Sequence, residues 1–299
     1  MLDINTDKDY NIRHTMKWAL NVLKKAQITS AAKEVELLLS NMLRCEFADL
    51  YLDINRILEP NVIKRFKSII LKRCQGVPMQ YLMQETCFYG LKLHVEKGVF
   101  IPRPETEVLV EKIIELVEKN IRKPVRILEL CTGSGNISVA LTKNLQYCTI
   151  MSSDISPQAL IVARENAQLY GLKTRIEFHQ GDLFSALPEF KDLNDRFDII
   201  IANPPYIESQ DLKNLPKEVG HDPQNALDGG SDGLIFYRRI ISRVKYYLKK
   251  DGYLAFEFGD AQAQSIEKII CTSQLFEKPF FFSDLNGIVR FVIARRSCG

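Results

Sequence analysis

The stretch Val125-Arg126-Ile127-Leu128-Glu129-Leu130-Cys131-Thr132-Gly133-Ser134-Gly135-Asn136 decides the fold. Its first six residues read as an apolar strand, and the Gly-x-Gly that follows opens a helix, so the glycines let a ligand approach the backbone closely. A dinucleotide fingerprint would place Gly or Ala three residues beyond Gly135, where this chain has Ser138, which weakens a nicotinamide reading. Nineteen residues after Gly135, Met151-Ser152-Ser153-Asp154 ends the next strand on an acid placed to accept the hydroxyls of a ribose. Gly181-Asp182-Leu183-Phe184 follows a strand predicted over 175–179; Asp182 is placed to accept from an adenine amino group, with Leu183 and Phe184 beside the ring. Each acid alone reads as a loop residue or a helix cap, but three signals in series at strand ends point to a nucleoside site.

Outward from this stretch, helical and strand patterns alternate from about residue 103 to the C-terminus, including the apolar run Phe197–Ala202. That order predicts an α/β sheet of parallel strands covered on both faces. One helix is well punctuated: Ser156 as N-cap, Pro157 at the first helical position and Gly171 at the left-handed end, with Leu160, Ala163, Ala167 and Tyr170 as its packing stripe. Residues 13 to about 82 carry apolar residues at helical spacing, as in Leu20, Leu23 and Ala26, then Val35, Leu38, Leu39 and Met42. Residues 85–102 change the period to alternation around Tyr89-Gly90, which predicts a β-hairpin linker between a helical domain over 1–84 and an α/β domain over 103–299.

The composition of the 299 residues, 46% hydrophobic and 26% charged, is that of a globular protein and excludes disorder as the main state. The net charge is +3, with 13 basic against 10 acidic residues in the first 90, so no stable nucleic-acid binding is expected. The most basic run, 64–73, holds Lys64, Arg65, Lys67, Lys72 and Arg73 without an acid, and reads as a solvated helix face or as a docking surface for an acidic partner. No apolar run is long enough for a membrane span and the first ten residues do not resemble a secretory signal, so a cytoplasmic chain is expected. Seven cysteines without a C-x-x-C pair, and four histidines without ligand spacing, predict reduced thiols and no metal.

Asn203-Pro204-Pro205-Tyr206 follows directly on the run Phe197–Ala202. The two prolines hold the backbone extended and remove donors, so the Pro204 carbonyl and the Asn203 side-chain oxygen form two fixed acceptors. An amide or aromatic amine has its lone pair delocalised into a π system, and two acceptors on its N–H groups favour the pyramidal geometry in which the nitrogen is nucleophilic. Pro205 completes the rigid turn, and Tyr206 supplies a planar wall for stacking.

The ordered set 129–135, Asp154, Asp182 and 203–206 resembles the class I S-adenosylmethionine-dependent methyltransferases that act on planar amino groups. Three further segments, Phe88-Tyr89-Gly90 with Phe100-Ile101-Pro102-Arg103-Pro104-Glu105-Thr106-Glu107, Asp222-Pro223-Gln224-Asn225-Ala226-Leu227-Asp228-Gly229-Gly230, and Phe256-Glu257-Phe258-Gly259, resemble the release factor glutamine methyltransferases, the HemK/PrmC family. The resemblance implies a Rossmann-like seven-stranded sheet, a small N-terminal helical domain that docks the protein substrate, and a β-hairpin linker. It implies S-adenosyl-L-methionine as cofactor, with Cys131, Thr132, Gly133, Ser134 and Gly135 cradling its methionine part, Asp154 on the ribose, and Asp182 and Leu183 at the adenine. Asn203, Pro204, Pro205 and Tyr206 would then bind the glutamine amide of the Gly-Gly-Gln loop of peptide chain release factors, and Asn203 would also border the cofactor. Many relatives have Gly at the position of Cys131; if that position needs φ > 0, cysteine is strained there. The tetrapeptide would equally serve an adenine amino group of DNA or RNA, or a glutamine of a ribosomal protein, whereas a nucleoside-binding module without turnover would not need Asn203 beside two prolines.

Overall fold

Ile12, Met16, Ala19 and Leu23 are buried at helical spacing, so Ile12–Lys25 folds as a helix with one apolar face (α1), capped by the Asn11 side chain accepting from the His14 amide. Of the expected stripe, Leu23 is fully buried and Leu20 packs half-buried against the same core, whereas Ala26 is the exposed C-cap. Around α1 pack Ala31–Leu43 (α2), Phe47–Leu52 (α3) and Pro60–Cys74 (α4), closing a core of Leu23, Val35, Leu38, Leu39, Leu50, Phe66 and Ile70. A short helix, Met79–Met83 (α5), follows. The computed structural model describes residues 10–187 and 196–298. The chain divides into two compact units after Met83, and the first nine residues, which bear on the expected lack of a secretory signal, lie outside the described ones.

The second unit begins with a hairpin, Glu85–Phe88 (β1) and Leu91–His94 (β2), joined by Tyr89 and Gly90, both at positive φ as a two-residue turn demands. It continues through Thr106–Asn120 (α6), Val125–Leu130 (β3), Asn136–Asn144 (α7), Cys148–Asp154 (β4), Pro157–Leu169 (α8), Ile176–Gln180 (β5) and Phe197–Ala202 (β6). Ile235–Val244 (α9), Leu248–Glu257 (β7), Ala263–Thr272 (α10), Phe280–Ser283 (β8) and Val289–Arg295 (β9) complete it. The strands form one seven-stranded sheet in the order β5-β4-β3-β6-β7-β9-β8, the class I methyltransferase fold. Five strands run parallel, but β9 is antiparallel to β7 and β8 to β9, so the sheet is mixed rather than parallel throughout. Its end is a hairpin: β8 and β9 are separated only by residues 284–288, a connection too short for a parallel crossover.

Alternate residues of the central strands enter opposite cores. Ile127, Ile199 and Ile201 pack with Ile113 of α6 and Leu141 of α7, while Leu128, Leu130 and Ile200 pack with Ile240 of α9 and Ile266 of α10. The chain leaves β3 to one side for β4 and returns to its other side as β6, so a crevice opens above the carboxyl ends of β3 and β6. Among the described residues no helix is long and apolar enough to cross a membrane.

The basic run on α4 is not one solvated face. Lys64, Arg65 and Lys72 are exposed, Lys67 lies over the Tyr10 and Trp18 rings at 4.6 and 5.8 Å, and Arg73 is buried with Nε 2.8 Å from Glu34 Oε2 and a second nitrogen 3.1 Å from Oε1. Arg73→Ala leaves the partly buried Glu34 carboxylate with the Ser30 hydroxyl alone and should cost ~1.5–3 kcal/mol of stability. Urea unfolding followed by Trp18, the chain's single tryptophan, reads the helical unit directly; a loss below ~1 kcal/mol, typical of an exposed pair, would contradict this assignment.

Candidate active site

Glu129 places a charge one residue before the end of β3, and the fold buries it to 1% exposure. Its Oε2 accepts from Thr132 Oγ1 at 2.7 Å, from Ser138 Oγ and, at 3.4 Å, from Ser152 Oγ, while Oε1 is buried without a partner. Burial pushes its carboxyl up to about 7, with the three hydroxyls pulling the other way. The turn that follows needs left-handed backbone at Cys131 (φ 60°), Gly133 (φ 55°) and Gly135 (φ 77°), so cysteine does occupy a position that favours glycine. Burial, then the nearby carboxylates of Asp154 and Asp182, raise the Cys131 thiol well above its ordinary value, which keeps it protonated and unreactive.

At the end of β4, Asp154 Oδ2 accepts the Gly133 amide at 2.8 Å and Oδ1 the Ser156 amide at 2.9 Å, so one carboxylate pins the loops after β3 and β4. Ser156 caps α8 through the Ala159 amide, and Gly171 ends that helix at φ 70°. After β5, Asp182 Oδ2 already receives Arg239 of α9 at 2.5 Å; the pair is over 40% exposed on both sides, hence weak and easily opened.

Asn203-Pro204-Pro205-Tyr206 leaves the end of β6 into a cavity of about 290 Å³. Cys131, Thr132, Gly133, Asp154, Asp182, Leu183, Asn203, Pro204, Pro205 and Tyr206 all line it, as does Glu129. Ser134 and Gly135 do not. The Ser134 carbonyl accepts from Asn166 of α8, and a Cβ on Gly135 would lie 3.0 Å from the Ala163 Cβ, so these two residues set the close approach of α7 and α8 instead. Phe184, expected beside the ring, stacks on Tyr247 in the core with centroids 4.4 Å apart; Ile155 and Phe236 line the cavity in its place. In the sequence these two are isolated apolar residues without a motif to single them out.

The tetrapeptide is held from behind by residues to which the sequence assigned no role of their own, several of them inside the segments that carry the resemblance. The Tyr206 carbonyl accepts from Gln262 Nε2 at 2.9 Å, and a Cβ on Gly229 would come within 2.8 Å of Tyr206 Cα. Thr106, first residue of α6, donates to Glu257 Oε2 at 2.6 Å, and Asn203 Nδ2 lies 3.5 Å from the Thr106 hydroxyl. Glu257 is buried at the end of β7, which pushes its carboxyl up to about 7, and burial likewise holds the Tyr206 phenol up at about 12. Arg103 and the Ile101 amide both bond to Asp222, fastening segment 100–107 to the loop 222–230 that forms another wall. Among the described residues no group of three His, Cys, Asp or Glu side chains is arranged for a metal ion.

Two family profiles match the chain: a methyltransferase domain over residues 121–286 and a PrmC N-terminal domain over residues 14–83. A release factor glutamine methyltransferase of Clostridium acetobutylicum is 36% identical over 260 residues, covering 87% of this chain and 90% of the relative. One of Geobacter sulfurreducens is 34% identical over 287 residues, covering 96% and 97%. A crystal structure of a methyltransferase from Pyrococcus furiosus superposes with a TM-score of 0.50 at 15% identity, covering 70% of this chain and 90% of that one, a likeness of fold.

Glu129 and Glu257 both sit near 7 in the folded chain against 4.5 ordinarily, so the fold favours their protonated forms. The stability they lend is complete below about pH 4.5 and is lost as the pH rises through about 7, at ~1.4 kcal/mol for each pH unit that separates the folded and unfolded values. Urea unfolding followed by circular dichroism should show stability falling from about pH 5 to about pH 8, and falling less in Glu129→Gln/Glu257→Gln, whose amides cannot ionise. Equal slopes in the two proteins would contradict the burial argument.

Proposed function

The chain belongs to the family of release factor glutamine methyltransferases, and from that premise we propose that its cavity brings S-adenosyl-L-methionine against the side-chain amide of the glutamine in the Gly-Gly-Gln motif of peptide chain release factors, in the cytoplasm. The observation that carries this reading is that Asn203–Tyr206 and the turn after β3 line one cavity with Asp154 and Asp182.

The residues present suit the cofactor's chemistry. The unpartnered Oε1 of Glu129 is a buried acceptor fit for an ammonium group, and Gly133 faces space in which no atom lies within 4 Å of a Cβ position. Asp154 keeps acceptor capacity for a ribose hydroxyl beside the amides of Gly133, Ile155 and Ser156. Leu183, Ile155 and Phe236 offer apolar walls for adenine, and Asp182 an acceptor for its amino group once Arg239 yields. When bound, S-adenosyl-L-methionine supplies a methyl group on an electrophilic sulfonium, so transfer needs no covalent bond to the chain. Asn203 Oδ1 and the Pro204 carbonyl take the two N–H groups of the glutamine amide, and Tyr206 stacks against its plane. The protonated Cys131 thiol is a packing group in this scheme.

A lone glutamine offers little surface, so binding energy from elsewhere on the release factor must hold its amide in place. The helical domain, residues 1–84, is the docking element in this reading, and Lys64, Arg65 and Lys72 are the exposed cations of its basic run on α4. The near-neutral charge of the whole chain suits a protein partner better than a nucleic acid.

Two variants separate acceptor from cofactor. Asn203→Ala should lose roughly 10²–10³ in single-turnover rate while binding cofactor almost normally. Asp154→Ala should weaken cofactor binding, measured by calorimetry, by about one to two orders of magnitude. Near-normal turnover in the first, or unchanged affinity in a folded second, removes that residue from its role. Docking is tested by reversing charge at Lys64, Arg65 and Lys72 together: KM for the release factor should rise at low salt and the difference shrink at high salt, with cofactor affinity unaltered. An unchanged KM at low salt would exclude this face.

A further inference from the structure

Asn203 offers an acceptor oxygen and a donor nitrogen, and only the oxygen can take an N–H from an amide substrate. Its Nδ2 lies 3.5 Å from the Thr106 hydroxyl, which spends its single proton on Glu257 Oε2 at 2.6 Å. A hydroxyl whose proton is committed can only accept. Thr106 therefore holds the nitrogen of the Asn203 amide and leaves Oδ1 on the opposite side. We propose that Thr106 and Glu257 are positioning residues that fix the polarity of the Asn203 amide, so that its oxygen rather than its nitrogen meets the substrate; this rests on the glutamine-methylation reading above.

The arrangement follows from the sheet. Ala202 of β6 pairs with Phe256 of β7, so Asn203 and Glu257 are the next residues along two hydrogen-bonded parallel strands, and Thr106 enters from the start of α6. Thr106 and Glu257 are 1% and 2% exposed, so water does not compete for their hydrogen bond. The tetrapeptide cannot orient Asn203 by itself, because the two residues that follow are prolines without amide hydrogens. The Asn203 amide also donates to the Glu257 carboxylate itself, so Thr106 and Glu257 hold the same nitrogen together. The other charged or titratable groups acting on Glu257 are Arg290, which is paired with Asp284, Glu105, and the phenols of Tyr206 and Tyr237.

The same geometry has a reversed state. A protonated Glu257 would donate to Thr106, the Thr106 proton would turn to Asn203 Oδ1, and the amide would present its nitrogen to the cavity. Burial holds the Glu257 carboxyl at about 7, so the productive polarity prevails on the alkaline side of neutrality.

Thr106→Val removes the hydroxyl at nearly constant volume. With release factor as substrate and saturating cofactor, its kcat should fall roughly 10–100-fold, the range for groups that orient a reacting residue, with KM for the release factor and cofactor affinity unchanged. Thr106→Ser should restore kcat. In an Asn203→Ala background Thr106→Val should cost nothing further, because it acts through the missing amide. Should Thr106→Val fail to fold, the pH profile still decides: kcat at saturating cofactor should rise as the pH passes about 7 in the unaltered chain and lose that rise in Glu257→Gln, which keeps Glu129. Full kcat in Thr106→Val, no rescue by serine, an equal further loss in the Asn203→Ala background, or a kcat flat across neutrality overturns the proposal. If the unaltered chain methylates glutamine and Thr106→Val is indifferent, only the positioning role falls; if the unaltered chain methylates no glutamine, the functional reading falls with it.

Discussion

The Glu129 carboxylate at the end of β3 gathers the hydroxyls of Thr132, Ser138 and Ser152 on one oxygen, and so binds strand, turn, α7 and β4 to a single buried point. That point holds the turn 131–135 in its left-handed course, and Asp154 then pins the same turn from β4 through the Gly133 amide. A carboxylate with one oxygen saturated and the other bare is costly to bury. Glu129 lines the cavity, so a cationic ligand group reaching that bare oxygen would both offset the cost and be selected by it.

A second buried carboxylate, Glu257, plays a parallel part on the opposite side of the switch point between β3 and β6. Glu129 touches the backbone turn after β3, whereas Glu257 meets the side chain after β6 both through Thr106 and by its own hydrogen bond with Asn203. Between them lie the two halves of the site. Neither half needs an ionised nucleophile: Cys131 and Tyr206 are both held in their neutral forms by burial. A reaction between a strong methyl donor and a weak amide acceptor depends on orientation and exclusion of water, and in the proposed scheme the acceptors that follow β6 supply the orientation.

The sequence was legible where a residue's role is local. β3, β6 and the end of β4 fall where the apolar runs stop, because strands buried on both faces are uninterrupted in hydrophobicity. The cap of α8 and the turn at Tyr89-Gly90 are equally local. What was not legible depends on partners distant in the chain. Arg73 reads as part of a basic face until Glu34, from α2, is found beside it, and Phe184 reads as a ring neighbour until Tyr247 claims it. The antiparallel β8 and β9 lack a motif of their own, and Gln262 acquires a role only because its amide reaches the Tyr206 carbonyl. Thr106 and Glu257 stood inside segments already singled out, yet their connection to Asn203 spans three separate elements.

The most direct measurement is to locate the transferred methyl group. The unaltered chain is incubated with labelled S-adenosyl-L-methionine and, in parallel, a peptide chain release factor, ribosomal protein and adenine-containing DNA and RNA, and the products are mapped by mass spectrometry. The proposal that Asn203 and Pro204 take the amide of a docked protein substrate predicts label on the side-chain nitrogen of the glutamine in the Gly-Gly-Gln loop. Label on adenine, or on a protein residue other than that glutamine, would contradict it.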